Sequence, residues 1–300
     1  MKWEPGQRSE SVEDRRGERP AGGPGGFGMS GPPSMSLGGL LLLLALAYFF
    51  GPGIFSAVGP IETGPPPDPT PRSFPSREAP APGAPPAAAD AAEEQLVDFV
   101  SFVIDDLQKT WSATLTGYEP TRLVLFRGAV QSACGFAQAA MGPFYCPNDQ
   151  KVYIDLAFYD ELRQRFGAAG DFAQAYVIAH EVGHHIQRQI GVEPQVRQLQ
   201  RRRPDLANQL SVRMELQADC FAGVWGHSTA QRQILERGDV EEGLRAAAAI
   251  GDDRIQRRTQ GYVVPEGFTH GSSEQRVYWF RRGLEFGDPN RCDTFEQTEP

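Results

Sequence analysis

Residues 172–184 read Phe-Ala-Gln-Ala-Tyr-Val-Ile-Ala-His-Glu-Val-Gly-His and form the most informative segment of the chain. Its first eight residues have the apolar spacing of a buried helix. Positions i and i+4 of a helix lie on one face, so His180 and His184 can direct their imidazole nitrogens toward one point, with Glu181 beside them. The spacing therefore predicts a zinc site on a buried helix, with Glu181 as a candidate base.

A second segment, residues 214–219, adds a carboxylate pair with the same spacing. Glu215 and Asp219 are again i and i+4, within a run whose apolar residues recur at helical spacing. A catalytic zinc takes three protein ligands and leaves one position for water, and its histidines donate a hydrogen bond to a carboxylate. We therefore expect Glu215 to be the third ligand and Asp219 to accept from a histidine. The alternative, a solvated helix face, fits poorly with the apolar neighbours.

The composition divides the chain into four parts. Residues 1–36 are rich in Gly, Pro, Ser and charge, which predicts a disordered segment. Residues 37–58 carry no charge and predict a transmembrane anchor, with a cleaved signal peptide as the alternative. Residues 59–87 are proline-rich and predict a disordered linker. Residues 88–300 contain the apolar patterns of one globular domain.

The distribution of basic residues predicts an orientation for that anchor. Lys2, Arg8, Arg15, Arg16 and Arg19 precede the apolar segment, whereas the first basic residues after it are Arg72 and Arg77. The positive-inside rule then places the N-terminus in the cytoplasm and the domain outside the membrane.

Four cysteines lie in the part of the chain expected to be exported. An even number there favours disulfides, and we expect the pairs Cys134 with Cys146 and Cys220 with Cys292. The alternative is four reduced thiols in the core. A cysteine-rich zinc site is disfavoured because the chain has no Cys-x-x-Cys spacing.

The remaining patterns predict a mostly helical α+β domain with a small sheet. Two extended runs, residues 122–127 and 151–156, precede most of the helices. A first helix is expected through residues 96–111, and further helices near 157–166, 171–190, 205–226, 229–237, 240–258 and 274–285. The formal net charge of −9 and the merely local basic runs argue against a nucleic-acid partner.

The same residues suggest a hydrolytic mechanism. Glu181 would accept a proton from a water in the open zinc position and pass it to a leaving amine. His270, in a Gly- and Ser-containing loop, is our candidate to stabilise the oxyanion. The alternative is that His270 is a surface histidine without a catalytic role. Weaker candidates are Tyr145, Tyr153 and His227. Residues 142–147, followed by the strand at 152–155, could supply an edge strand for an extended peptide.

Several motifs together resemble a known group. The chain is similar to the bacterial neutral zinc metallopeptidase family, and the resemblance rests on residues 11–17, an apolar segment, and the motifs at 140–147, 180–185, 215–223 and 269–273. It implies a zincin-like peptidase with a downstream glutamate as third ligand. It also implies a tether to the bacterial inner membrane and a catalytic domain facing the periplasm.

The leading hypothesis is a membrane-anchored zinc peptidase that acts on envelope proteins. Two alternatives use the same zinc ligands. One is a catalytically silent, zinc-stabilised domain that binds envelope partners. In that domain a fourth protein ligand, such as His185 or His227, would complete the zinc coordination and leave no position for water. The other is a non-peptide zinc hydrolase such as an amidase, because a site does not fix its substrate.

Overall fold

A strand near the N-terminus and three strands from the middle of the chain form a four-stranded sheet in the computed structural model, which describes residues 1–18, 88–139, 142–166 and 170–296. The strand order is β1 (Val12–Asp14), β2 (Arg122–Phe126), β6 (Lys151–Asp155) and β5 (Phe144–Cys146). The first three strands run parallel, and β5 is an antiparallel edge strand. Residues 123–126 are consecutively buried, as expected of a strand covered on both faces.

Helices dominate the rest of the described chain. They are α1 (Ala88–Thr114), α2 (Ala157–Phe166), α3 (Asp171–Gln189), α4 (Val192–Arg202), α5 (Ala207–Gln231), α6 (Asp239–Ala249), α7 (Asp252–Gln260) and α8 (Ser273–Phe286). A separate hairpin pairs β3 (Ala129–Ser132) with β4 (Gly135–Gln138). The predicted α+β class, mostly helical with a small sheet, is confirmed.

Helix α3 lies at the centre of the core because it is apolar on almost every side. Fourteen of its residues are buried, including His180 and Glu181. Helix α5 packs against both α3 and α8 at positions where side chains are missing. A Cβ on Gly183 would lie 2.9 Å from the Cα of Ala218, and a Cβ on Gly283 would lie 2.0 Å from the carbonyl oxygen of Cys220. The helices therefore approach almost backbone to backbone.

Some predicted helix boundaries are wrong. The helix expected near 229–237 is instead the end of α5, which stops at Gln231. The helix expected over 240–258 is two helices separated at Gly251, where a Cβ would lie 2.4 Å from the backbone nitrogen of Ser273. Helix α4 was not predicted.

The N-terminal residues belong to the domain. Val12 pairs with Leu123 across the parallel β1–β2 ladder, and Lys151 Nζ lies 2.8 Å from the carboxylate of Glu13. The prediction that residues 1–36 are disordered is therefore wrong for residues 1–18. Backbone hydrogen bonds and ion pairs to distant residues order this polar segment, and its composition does not reveal those partners.

The predicted span at residues 37–58 and the predicted linker at 59–87 lie outside the described residues. Within the described part of the chain, none of the helices is both long and apolar enough to cross a bilayer. Both expected disulfides, Cys134–Cys146 and Cys220–Cys292, are present.

Candidate active site

Two helices bring the predicted ligand side chains together. His180 and His184 project from α3 and Glu215 from α5, and one ligand atom from each lies within 4.8 Å of the other two. His180 Nε2 is 3.0 Å from one oxygen of Glu215, and His184 Nε2 is 3.6 Å from the other. Among the described residues, this cluster therefore offers three candidate ligands for one ion.

The donor set and its spacing fit a zinc ion. Nitrogen and oxygen ligands about 2.0–2.1 Å from a tetrahedral zinc lie roughly 3.3 Å from one another. Each histidine nitrogen lies close to that distance from one oxygen of Glu215, at 3.0 and 3.6 Å. Zinc bound here would lower the pKa of a coordinated water toward neutrality and polarise a substrate carbonyl.

Asp219 lies behind His180, at the position expected of the hydrogen-bond acceptor. Its Oδ1 is 2.8 Å from His180 Nδ1, which leaves Nε2 of that ring facing Glu215. Tyr176 donates its hydroxyl hydrogen to the same carboxylate. Arg276 forms a two-point contact with Asp219, with Nε 2.8 Å from Oδ2 and Nη2 2.9 Å from Oδ1. A buried charged network therefore orients the first histidine.

His184 is oriented differently. Its Nδ1 lies 2.9 Å from the amide oxygen of Gln187, one turn further along α3. A neutral amide thus takes the place that Asp219 occupies behind His180.

The titratable groups of this cluster are strongly coupled to one another. Burial by itself lowers the pKa of His180, but the charge of Asp219 and hydrogen bonds to Asp219 and Glu215 raise it to about 10. Burial likewise lowers the pKa of His184, yet Glu215 gives a net increase. Burial raises the pKa of Glu215, whereas the two histidines hold it well below its ordinary value. The two histidines and Glu215 therefore stabilise one another's charged forms.

A large cavity opens onto these ligands. Its volume is about 1120 Å³, and its lining includes His180, Glu181, His184 and Glu215. Phe144 and Tyr145 of the edge strand β5 also line it. Glu181 is therefore next to the ligands and faces space that a substrate can enter.

His270 reaches the same cavity from the loop before α8. Its side chain is 52% exposed, and its Nδ1 lies 2.9 Å from Thr269 Oγ1 and 3.3 Å from an oxygen of Asp252. The other oxygen of Asp252 accepts hydrogen bonds from the backbone nitrogens of residues 269, 270 and 271. The loop is thereby held in place while His270 remains accessible.

The other candidate side chains have different partners. His185 lies 2.7 Å from the carbonyl oxygen of Glu119 through Nε2 and 3.0 Å from the hydroxyl of Tyr145 through Nδ1. Tyr153 donates to Asp149, and His227 Nδ1 contacts the carbonyl oxygen of Leu284. Neither His185 nor His227 belongs to the ligand cluster.

Five residues that support the site were missed from the sequence. Two of them could have been predicted from helical spacing, because Tyr176 lies four residues before His180 and Gln187 lies three residues after His184. The sequence also allows the start of α8 to be predicted, since Ser272 and Gln275 form a capping box. Nothing in the local pattern identifies the partners of the remaining residues, which are Arg276, Gln217 and Asp252.

A buried His-Glu-x-x-His helix with a downstream glutamate and an acceptor behind the first histidine defines a zinc peptidase type of site. Sequence comparison agrees. This chain belongs to the family described as "Putative neutral zinc metallopeptidase", whose model matches residues 1–295. The cofactor is accordingly Zn²⁺.

Two relatives illustrate the extent of the similarity. "Uncharacterized protein YpfJ" of Escherichia coli K12 is 47% identical over 304 residues, covering 98% of this chain and 99% of the relative. "Uncharacterized protein Rv2575" of Mycobacterium tuberculosis H37Rv is 43% identical over 206 residues, covering 65% of this chain and 69% of the relative. No solved structure matches this chain significantly.

Proposed function

We propose that this protein is a zinc-dependent endopeptidase with a zincin-like catalytic site. One observation supports this above all: three ligand side chains and Glu181 meet at a cavity of about 1120 Å³. A catalytically silent zinc site would be closed by a fourth protein ligand, and His185 and His227 have other partners.

Each residue has a distinct role in this proposal. His180, His184 and Glu215 hold the zinc, and Asp219 fixes the ring of His180. Glu181 accepts a proton from the attacking water and donates it to the leaving amine. His270, which also lines the cavity, donates a hydrogen bond to the developing oxyanion.

The edge strand β5 offers a way to align a peptide. It lies at the end of the sheet order, and Phe144 and Tyr145 line the cavity. The Tyr145 hydroxyl contacts His185 on α3, which joins this strand to the zinc-binding helix. An extended substrate could therefore add a strand beside β5 and place a peptide bond near Glu181.

The compartment is a further part of the proposal. Two disulfides are typical of proteins in an oxidising compartment, which favours an extracytoplasmic domain and envelope proteins as substrates. The apolar segment at 37–58 would bring the enzyme to the bacterial inner membrane.

The direct test compares Glu181→Gln with the unchanged chain. We expect the variant to bind about one zinc per chain by metal analysis but to lose cleavage of an unfolded protein substrate. Glu241→Gln, on the exposed side of α6, is the control and should retain cleavage. Normal turnover by Glu181→Gln would refute this mechanism. Cleavage of non-peptide amides alone by the unchanged chain would favour the amidase alternative.

A further inference from the structure

A line of buried amides connects the second zinc histidine to a disulfide. We propose that Gln187 and Gln217 are positioning residues that hold His184 for the metal, and that the Cys220–Cys292 disulfide anchors them. The inference rests on the zinc-binding part of the proposed function and is independent of peptide hydrolysis.

The first step is the orientation of the Gln187 amide. Its Nε2 donates to the carbonyl oxygen of Met214 at 2.7 Å and to the amide oxygen of Gln217 at 3.1 Å. Reversing the amide would set an oxygen against two oxygens, so the network assigns Oε1 to His184. An amide oxygen only accepts, which places the imidazole proton on His184 Nδ1 and leaves the Nε2 lone pair for zinc.

The second step is that Gln187 joins the two ligand-bearing helices. Gln187 lies on α3 and is fully buried, whereas its acceptor Met214 lies on α5 immediately before the ligand Glu215. One side chain therefore fixes both the ring of His184 and the backbone next to the third ligand.

The third step leads to the disulfide. Gln217 donates through Nε2 to the carbonyl oxygen of Cys292 at 2.9 Å, and Cys220, three residues along α5, is bonded to the sulfur of Cys292. Residue 292 is thus held by both its carbonyl and its sulfur. Without the disulfide, its carbonyl could move away, and the buried Gln217 would lose a hydrogen-bond partner.

The uncharged hydrogen bonds through Gln187 and Gln217 contrast with the charged groups that hold His180. Asp219 and Arg276 can hold the first ring by ionic attraction even after small displacements, because Coulomb energy falls slowly with distance. Amide hydrogen bonds weaken steeply when their geometry is lost. The ring of His184 therefore depends more closely on the exact position of its supporting chain.

The experiment measures zinc affinity of the purified full chain by competition with a chelator, which requires no substrate. We expect Gln187→Met to weaken zinc binding roughly 10- to 100-fold, as for other residues that orient metal ligands. Gln217→Met should weaken it about several-fold, since it leaves His184 its direct acceptor. The cobalt-substituted chain should show an altered visible spectrum in both variants. Circular dichroism and thermal unfolding check that the zinc-free variants are folded.

The disulfide is tested with a matched pair of variants. Replacing both Cys220 and Cys292 with serine should weaken zinc binding, whereas the same change at Cys134 and Cys146 should not. Adding Gln217→Met to the first variant should cause little additional loss of zinc affinity if both changes act through the same hydrogen bonds. Native zinc affinity in Gln187→Met and Gln217→Met would overturn the proposal. If the serine variant does not fold, Gln217→Met alone tests the role of the contact with residue 292, because it removes that contact but retains the disulfide.

Discussion

Arg276 contacts both Asp219 and His180 without being a candidate ligand itself. It is 2% exposed, and the carboxylate it binds, that of Asp219, is fully buried. Burial by itself raises the pKa of Asp219, but Arg276 and His180 produce a net decrease. The arginine therefore keeps this acceptor ionised inside the core.

Removing that arginine should destabilise the protein strongly. We expect Arg276→Met to lower the free energy of unfolding of the zinc-free chain by about 3–5 kcal/mol, because it leaves a buried charge without its main partner. Urea unfolding measures the effect. Arg281→Met, at an exposed position of the same helix, is the control and should change stability by less than about 0.5 kcal/mol. Equal losses in the two variants would contradict this role for Arg276.

His270 provides a test of pH dependence. The hydrogen bond to Asp252 raises its pKa above the ordinary value, although burial opposes the increase. Because the folded pKa is the higher one, the stabilising pair is fully present below about pH 6.5 and is lost as pH rises through the folded value. Its contribution is at most about 1 kcal/mol, since the ring is half exposed.

Nuclear magnetic resonance titration can measure this directly. The His270 ring signal should titrate above pH 6.5 in the unchanged chain, and its pKa should fall in Asp252→Asn. A pKa unaffected by that substitution would show that the contact with Asp252 does not determine the protonation of His270.

At the scale of elements, the contact between α3 and α5 sets the distance between the histidines and Glu215. Gly183 lies between the two histidines, and its missing side chain lets α5 approach through Ala218. Gly183→Ala should therefore push the helices apart. We expect a loss of about 1–3 kcal/mol in unfolding free energy and weaker zinc binding.

Urea unfolding and chelator competition measure these two effects. Arg188→Ala, exposed on the same helix, should leave zinc affinity unchanged. If Gly183→Ala binds zinc as tightly as the unchanged chain, close packing at this point is not what positions Glu215.

The sequence predicted the two helices that carry the candidate ligands, because their apolar spacing is local. Helices α3 and α5 bring His180, His184 and Glu215 together through i and i+4 spacing, and the role of these residues as zinc ligands stays a prediction. Prediction failed where the partner is distant, as for Arg276, 57 residues after Asp219. Strand β1 was missed because three mostly polar residues show no alternation, and only their pairing with β2 makes them a strand.

At the scale of the whole molecule, the β1–β2 ladder requires residues 12–14 and 123–125 to share one compartment. We therefore expect Glu10→Cys and Tyr262→Cys, at exposed positions of the N-terminal segment and the later domain, to react alike with a membrane-impermeant maleimide in intact cells. Permeabilised cells, in which both should react, are the control. Labelling of only one position in intact cells would show that the ladder does not form in the cell.

The same ladder limits how many times the chain between β1 and β2 can cross a membrane. Two strands that pair in the cell lie on the same side of a membrane, so the chain between them crosses that membrane an even number of times. The labelling experiment therefore also tests the predicted single crossing at residues 37–58. The arginines that favoured a cytoplasmic N-terminus have other partners here: Arg8 Nε lies 2.9 Å from Asp98, and Arg16 Nη1 lies 2.6 Å from Glu93. Their positive charge holds the N-terminal segment to the first helix of the domain, and so it is not a reliable indicator of the side of the membrane.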